Sequence, residues 1–297
     1  MDKFANKSIN SLEFIEKLNE GSFGIVFKGY FKDGDSKTIV AIKKIKKKNP
    51  DEIIEPTTLR EVFILKNLIH PNLIRLLDII IDNNEIYLIY EYMDMDLYNF
   101  IYRSKNFIPK TVIKEILYNI LKGLAFLHEN FVIHRDLKLK NILISKDGKI
   151  VKIADLGLSR KLSILNPNYS KRIGTLHYMA PEILLNFTDY SFTVDIWAIG
   201  CIFYEIVFKK KLFHGNTFEE QLQEIAKVIG IPTNENWANI ESNKDYKRIY
   251  PNFIKGIFNE KVKGLSYKAV DLLKQMLIYN PNKRIDTKKA LEHVSLF

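Results

Sequence analysis

The feature that most constrains this chain is a change of hydrophobic period near residue 90. Upstream, apolar residues alternate over 12–19, 24–30, 38–45, 73–81 and 85–90, which predicts five strands. Gly21 marks the first hairpin, and Asp82-Asn83-Asn84 marks the turn between the last two strands. One helix is predicted among them, over 57–68, with Leu59, Val62, Phe63, Leu65 and Leu68 on its apolar stripe. Downstream, Val112, Ile113, Ile116, Leu117, Ile120, Leu121, Leu124 and Leu127 repeat at helical spacing over 111–128. Residues 194–208 are apolar nearly all round, which predicts a buried central helix. Strands followed by helices, rather than alternating with them, predict an α+β fold with two unequal lobes. The 158–180 segment has no period; with Pro167, Gly174 and several hydroxyls it reads as a long functional loop.

Composition narrows the class. Hydrophobic residues make up 46 % of the 297, enough for a large core. The one cysteine, Cys201, lies in an apolar run and is expected to be a buried small hydrophobe. A disulfide framework is excluded, so a reducing intracellular compartment, nucleus and/or cytoplasm, is expected. The chain starts with charged and polar residues, and no apolar run is long enough to span a bilayer, so no membrane partner is expected. Net charge is +10, yet the lysines are mostly spread out. The dense run Lys43, Lys44, Lys46, Lys47 and Lys48 has no interleaved aromatic residues; it reads as a solvated loop after a strand, and no direct nucleic-acid contact is expected.

Chemistry concentrates in His134-Arg135-Asp136-Leu137-Lys138-Leu139-Lys140-Asn141, followed by Asp155-Leu156-Gly157. Phosphoryl transfer needs positioning and charge neutralisation more than covalent help. Asp136 is the candidate base for an acceptor hydroxyl, and Lys138 would neutralise the transferring group. Asn141 and Asp155 are candidate Mg²⁺ ligands, because a hard cation prefers oxygen. Two upstream features fit a nucleotide. Asn19-Glu20-Gly21-Ser22-Phe23-Gly24 would let backbone N–H groups approach phosphates, although an ordinary hairpin explains two glycines as well. Val40-Ala41-Ile42-Lys43 ends an apolar strand on a cation, with Ala41 leaving room for a flat base. Glu61, on the predicted helix, could hold Lys43 towards a nucleotide.

With these residues together, the chain resembles the eukaryotic protein kinases over nearly its whole length, most closely the cyclin-dependent branch. Glu55-Pro56-Thr57-Thr58-Leu59-Arg60-Glu61 is similar to the helix by which that branch meets its cyclin. Leu212-Phe213-His214-Gly215, Ile229-Gly230-Ile231-Pro232-Thr233 and Asn280-Pro281-Asn282-Lys283-Arg284 resemble its large-lobe segments, Asn280 standing where an aspartate is commoner. The resemblance implies one kinase domain over 12–297, with a small five-stranded antiparallel lobe at 12–93 carrying one helix and a larger, mainly helical lobe at 94–297. It implies serine/threonine specificity from Lys138, protein substrates, ATP and Mg²⁺, and a cyclin-like subunit at the 55–61 helix. Nucleotide-binding positions would be Leu18, Asn19, Glu20, Gly21, Ser22, Phe23, Gly24, Val26, Ala41, Lys43, Glu91, Met93 and Leu143. Glu91 and Met93 would meet adenine at the hinge, with Tyr90 behind. Glu182 would pair with Arg284, and Asp195 would hold the catalytic-loop backbone. Ser170 aligns with the activating phosphorylation site, and Arg60, Arg135 and Arg160 with the arginines that receive its phosphate.

Several positions depart from the family pattern. Asn19 replaces a glycine, tolerable because Asn accepts left-handed backbone. Leu156 replaces the usual Phe and is expected to pack against Leu65 and Leu76. Phe23 removes an inhibitory tyrosine, while Ser22 remains modifiable. Met179 replaces an arginine that supports proline-directed specificity, whereas Gly174 could take the needed backbone twist without it. Two other readings stay open: a cyclin-independent member of the same group, and an inactive nucleotide-binding scaffold. A mitogen-activated relative is disfavoured by Asn168-Tyr169-Ser170-Lys171, which lacks Thr-x-Tyr.

Overall fold

The computed structural model describes residues 8–21, 24–33, 36–46, 66, 68–83, 85–104, 107–156, 159–161, 174–252 and 254–295. Strands β1 (Leu12–Glu20), β2 (Gly24–Asp33), β3 (Ser36–Ile45), β4 (Leu76–Asp82) and β5 (Glu85–Glu91) form one sheet. Its order is β1-β2-β3-β5-β4, with every neighbouring pair antiparallel. Period-two alternation works as it should in β3. Val40 and Ile42 are fully buried while Ile39 stays 43 % exposed. Gly24 is required by packing, since a Cβ there would sit 2.4 Å from the Lys44 carbonyl across the β2–β3 ladder. Lys43 and Lys44 belong to β3 rather than to a solvated loop. Lys43 is buried, and Lys44 pairs with Glu85 at 2.7 Å.

The fourth predicted strand starts later than its apolar pattern. Leu73 leaves the small sheet and bridges Ile153 in parallel; the Ile74 N–H donates to the Ile153 carbonyl at 2.8 Å. Asn72 secures the crossing by donating from Nδ2 to the Val151 carbonyl (2.9 Å) and to Asn119 Oδ1 (3.0 Å). The reason is burial: Leu73 and Ile74 complete the large-lobe core, and alternation alone does not say which sheet an apolar strand joins. Most of the 57–68 helix lies outside the described residues.

Below the sheet come β6 (Met95–Asp96) and α1 (Leu97–Arg103), which starts where the Asp96 side chain accepts the Asn99 N–H at 2.7 Å. Helix α2 (Lys110–Glu129) buries Ile113, Ile116, Leu117, Ile120, Leu121, Leu124 and Leu127 on one stripe. Short strands β7 (Val132–Ile133), β8 (Ile142–Ile144), β9 (Val151–Ile153) and β10 (Arg160–Lys161) follow; β6-β8-β9 form one small sheet and β10-β7 another. Helix α3 (Thr193–Phe208) is the centre of the lobe, buried from Val194 to Ile206 without a break. Cys201 lies inside it, and burial pushes its thiol pKa up, keeping it protonated. Helices α4 (Phe218–Ile229), α5 (Tyr267–Met276) and α6 (Thr287–Ser295) follow, with α5 packed against α3 and α6 against α2 and α5. The expected α+β, two-lobed architecture is the observed one. Among the described residues no helix is long and apolar enough to cross a membrane.

Candidate active site

The site forms where two short β-turn segments meet under the sheet. The 134–141 segment runs between β7 and β8 and is held from below by α3. Asp195 Oδ2 accepts the His134 N–H and Oδ1 accepts the Arg135 N–H, both at 2.9 Å. His128 Nε2 approaches the same carboxylate at 3.0 Å. Burial pushes the Asp195 pKa up, but the His128 hydrogen bond, the charges of His128 and His134 and the Arg135 amide outweigh it and hold it low. These bonds sustain Arg135 at φ +70°, a left-handed backbone unusual for a bulky residue. The His134 ring adds a strut. Its Nδ1 accepts the Asp136 N–H at 3.3 Å, which leaves Nε2 to donate to the Ala154 carbonyl at 3.0 Å.

Asp136 therefore sits on a fixed backbone, and its carboxylate is shared. Oδ2 accepts Lys138 Nζ at 2.7 Å and Asn141 Nδ2 at 3.1 Å; Oδ1 accepts the Thr175 hydroxyl at 2.6 Å. Lys138 Nζ also reaches Thr175 Oγ1 at 3.0 Å. Asn141 Nδ2 donates a second time, to the Asp136 carbonyl at 2.9 Å, so its Oδ1 faces away as an acceptor. The Ala154 N–H bonds to the Asn141 carbonyl at 2.9 Å and brings Asp155 alongside. Asp155, at φ +61°, pairs through Oδ1 with Lys43 Nζ at 3.2 Å. Burial raises the Asp155 pKa, but the Lys43 charge and hydrogen bond more than cancel this and hold it below the usual carboxylate range.

The donor set suits a hard divalent cation. Asn141 Oδ1 and the second Asp155 oxygen lie on adjoining strand ends and could serve as oxygen ligands, with the Lys43 ammonium beside them. Among the described residues no group of three or more His, Cys, Asp or Glu could hold a metal alone. Mg²⁺ is commonly held by one or two protein oxygens plus substrate phosphates, so the set fits Mg²⁺ carried with a nucleotide.

Around this cluster, Val26 lies on β2 and Ala41 on β3, and Leu143 lies on β8; all three are half-buried. Ala41, Met93 and Leu143 pack against the same core, which includes Tyr90 and Leu156. Leu76 packs there too, whereas Leu65 is outside the described residues. Glu91 is clamped: its Oε1 accepts the Arg75 N–H and Lys152 Nζ, each at 2.8 Å. In the turn before β2, the Gly21 N–H donates to the Gly24 carbonyl at 2.9 Å. Leu18, Asn19 and Glu20 are exposed on β1. Asn19 is extended, paired with Val26, so the left-handed tolerance expected of it is not used. Lys17 and Lys46 both pair with Glu20 and draw its carboxyl down to about 2.

Glu61, Ser22, Phe23, Ser170 and Arg60 lie outside the described residues, and of Arg160 only the backbone is described, paired with Ile133. Arg135 is buried and donates to the Tyr190 hydroxyl at 3.3 Å. Glu182 and Arg284 form a buried bidentate pair at 2.7 and 3.0 Å. Sequence reasoning missed Thr175. It follows Gly174, whose φ of +113° and whose Cβ position, 2.5 Å from the Arg135 carbonyl, admit no side chain. The available signal was that glycine–threonine step before Ala180-Pro181-Glu182. Among known families, residues 12–296 match the protein kinase domain. That span takes in both lobes and every member of the cluster around Asp136, and the chain belongs to the protein kinase family.

Proposed function

We propose that this protein kinase is a serine/threonine kinase of the cyclin-dependent branch. The observation that carries the reading is Lys138, bonded to both Asp136 and Thr175. A lysine two residues after the base lies beside the acceptor and can meet the γ-phosphate. Asp136 orients the acceptor hydroxyl and takes its proton as the oxygen attacks phosphorus. Lys138 offsets the charge on the transferring group, and Lys43 meets the α- and β-phosphates. Asn141 and Asp155 would hold Mg²⁺, which when bound would neutralise phosphate charge. Val26, Ala41 and Leu143 enclose the base, and the backbone at Glu91 and Met93 reads its edge.

Regulation in this reading rests on the 55–61 motif as the surface for a cyclin-like subunit, and on Ser170. Phosphate on Ser170 would be received by Arg60, Arg135 and Arg160. The positive φ of Gly174 supports a proline after the target hydroxyl despite Met179.

The test is transfer of labelled phosphate from ATP to matched serine, threonine and tyrosine peptides. Serine and threonine should accept and tyrosine should not; tyrosine acceptance would overturn the specificity. Adding proline after the target serine should raise kcat/KM, and no change would remove that element. A cyclin-type protein that co-purifies and raises activity is expected from native cells, and full activity without one would favour the cyclin-independent reading.

A further inference from the structure

A second group of charges lies next to the acceptor site. After Thr175 the chain makes one 3₁₀ turn, Leu176–Tyr178, which carries His177. Lys211 Nζ lies 3.4 Å from His177 Nδ1 and 3.5 Å from Nε2. Near-equal distances place the ammonium against the ring rather than on one nitrogen. Burial, then Lys211 and His214, lower the His177 pKa, so the ring is neutral near pH 7 and the positive charge belongs to Lys211.

Lys211 differs from the other lysines withdrawn from solvent around the Asp136 cluster. Lys43, Lys138 and Lys152 each pair with a carboxylate. No carboxylate of the described residues pairs with Lys211 or its exposed neighbour Lys210. The nearby buried carboxylate is already engaged: Glu205, 1 % exposed, accepts Tyr102 at 2.9 Å and Tyr178 at 2.7 Å. A half-buried ammonium with no carboxylate partner among the described residues can take an incoming anion in a charge-assisted hydrogen bond. His177 is two residues from Thr175, which touches Asp136. A 3₁₀ turn advances ~2 Å per residue and an extended peptide ~3.3 Å, so a substrate residue a few places from the target hydroxyl can reach Lys211.

We propose that Lys211, with His177 and His214, selects acceptor peptides bearing an anionic side chain, carboxylate or phosphate, within about four residues of the target hydroxyl. The proposal deepens the kinase reading of the Asp136 site and rests on it.

The experiment uses the full chain, with any co-purifying subunit, and one serine acceptor peptide. Alanine, aspartate, phosphoserine or lysine is placed in turn at each of the four flanking positions on either side. At one or more positions aspartate or phosphoserine should raise kcat/KM about tenfold over alanine, mainly through KM. Equal effects assign a carboxylate partner, and a phosphoserine effect alone assigns a previously phosphorylated substrate. In Lys211→Ala the ratio of anionic to alanine peptide should fall to about one, and Lys211→Glu should turn it towards lysine. No anion preference in the wild type, or a preference that survives both substitutions, overturns the proposal. Peptide affinity by fluorescence anisotropy keeps the two readings apart. A binding preference lost in Lys211→Ala supports the proposal even without phosphate transfer, and that failure then counts against the proposed function alone.

Discussion

Asp195 shows how one side chain can organise a site it does not enter. Its two oxygens take two backbone N–H groups of the 134–135 turn, and His128 shares one of them. Replacing it by alanine orphans two buried donors, at ~1–3 kcal/mol each. A sharper test is Asp195→Asn across pH. The folded pKa is depressed, so the carboxylate contributes stability above its unfolded value, about 4, and loses it as pH falls through the lower folded value. Chemical denaturation should find the variant well below wild type at pH 7, and the gap should narrow below about pH 4; a constant gap would contradict this. Glu182→Ala is the second residue-scale prediction. It leaves the Arg284 guanidinium buried without a carboxylate, and unfolding should cost ~3–5 kcal/mol less. A loss below ~1 kcal/mol would mean that the three carbonyls also bonded to Arg284 satisfy it alone.

Among the elements, Gly174 is where the backbone itself is constrained. Gly174→Ala must abandon φ +113° or strike the Arg135 carbonyl, and either route moves Thr175 off Asp136. We expect kcat to fall about tenfold or more with the KM for ATP little changed; an unaltered kcat would show that the Thr175 contact is dispensable. How much was legible in the sequence also varies by element. Helices 111–128 and 194–208 were read to within a residue at either end, because a long stripe or an all-apolar run has few other solutions. The fourth strand is not: Leu73 and Ile74 look like strand residues, but the strand begins at Leu76, and Leu73 makes an isolated bridge to Ile153 in the other lobe. In sequence Lys43 fits both a strand end and a basic loop; the structure gives the strand, and its charge is matched by Asp155, 112 residues away. No local spacing reports a partner at that separation.

Over the whole molecule, the sequence made the chemistry legible better than its supports. Asp136, Lys138, Asn141, Asp155 and Lys43 are residue types with few alternative reasons to occur in that order, and all five meet in one cluster. Thr175, the His134 ring and His128, which steady that cluster, are ordinary in sequence and meaningful only after folding. Among the described residues the lobes meet at two levels. The chain crosses after Glu91, and Leu73 adds to β9 below, with Lys152 on Glu91 between them. The core around α3 continues up to Ile86, Leu88 and Tyr90 on one face of the small sheet, while Val40, Ile42, Tyr87 and Ile89 form a second core on its other face. Phosphate transfer from ATP should depend on Asp136. The most direct measurement is the rate of γ-phosphate transfer to a serine peptide by the wild type and by Asp136→Asn. The variant should remain folded and keep its ATP affinity while transfer falls ~10²–10⁴-fold. Transfer undiminished in Asp136→Asn would contradict the account.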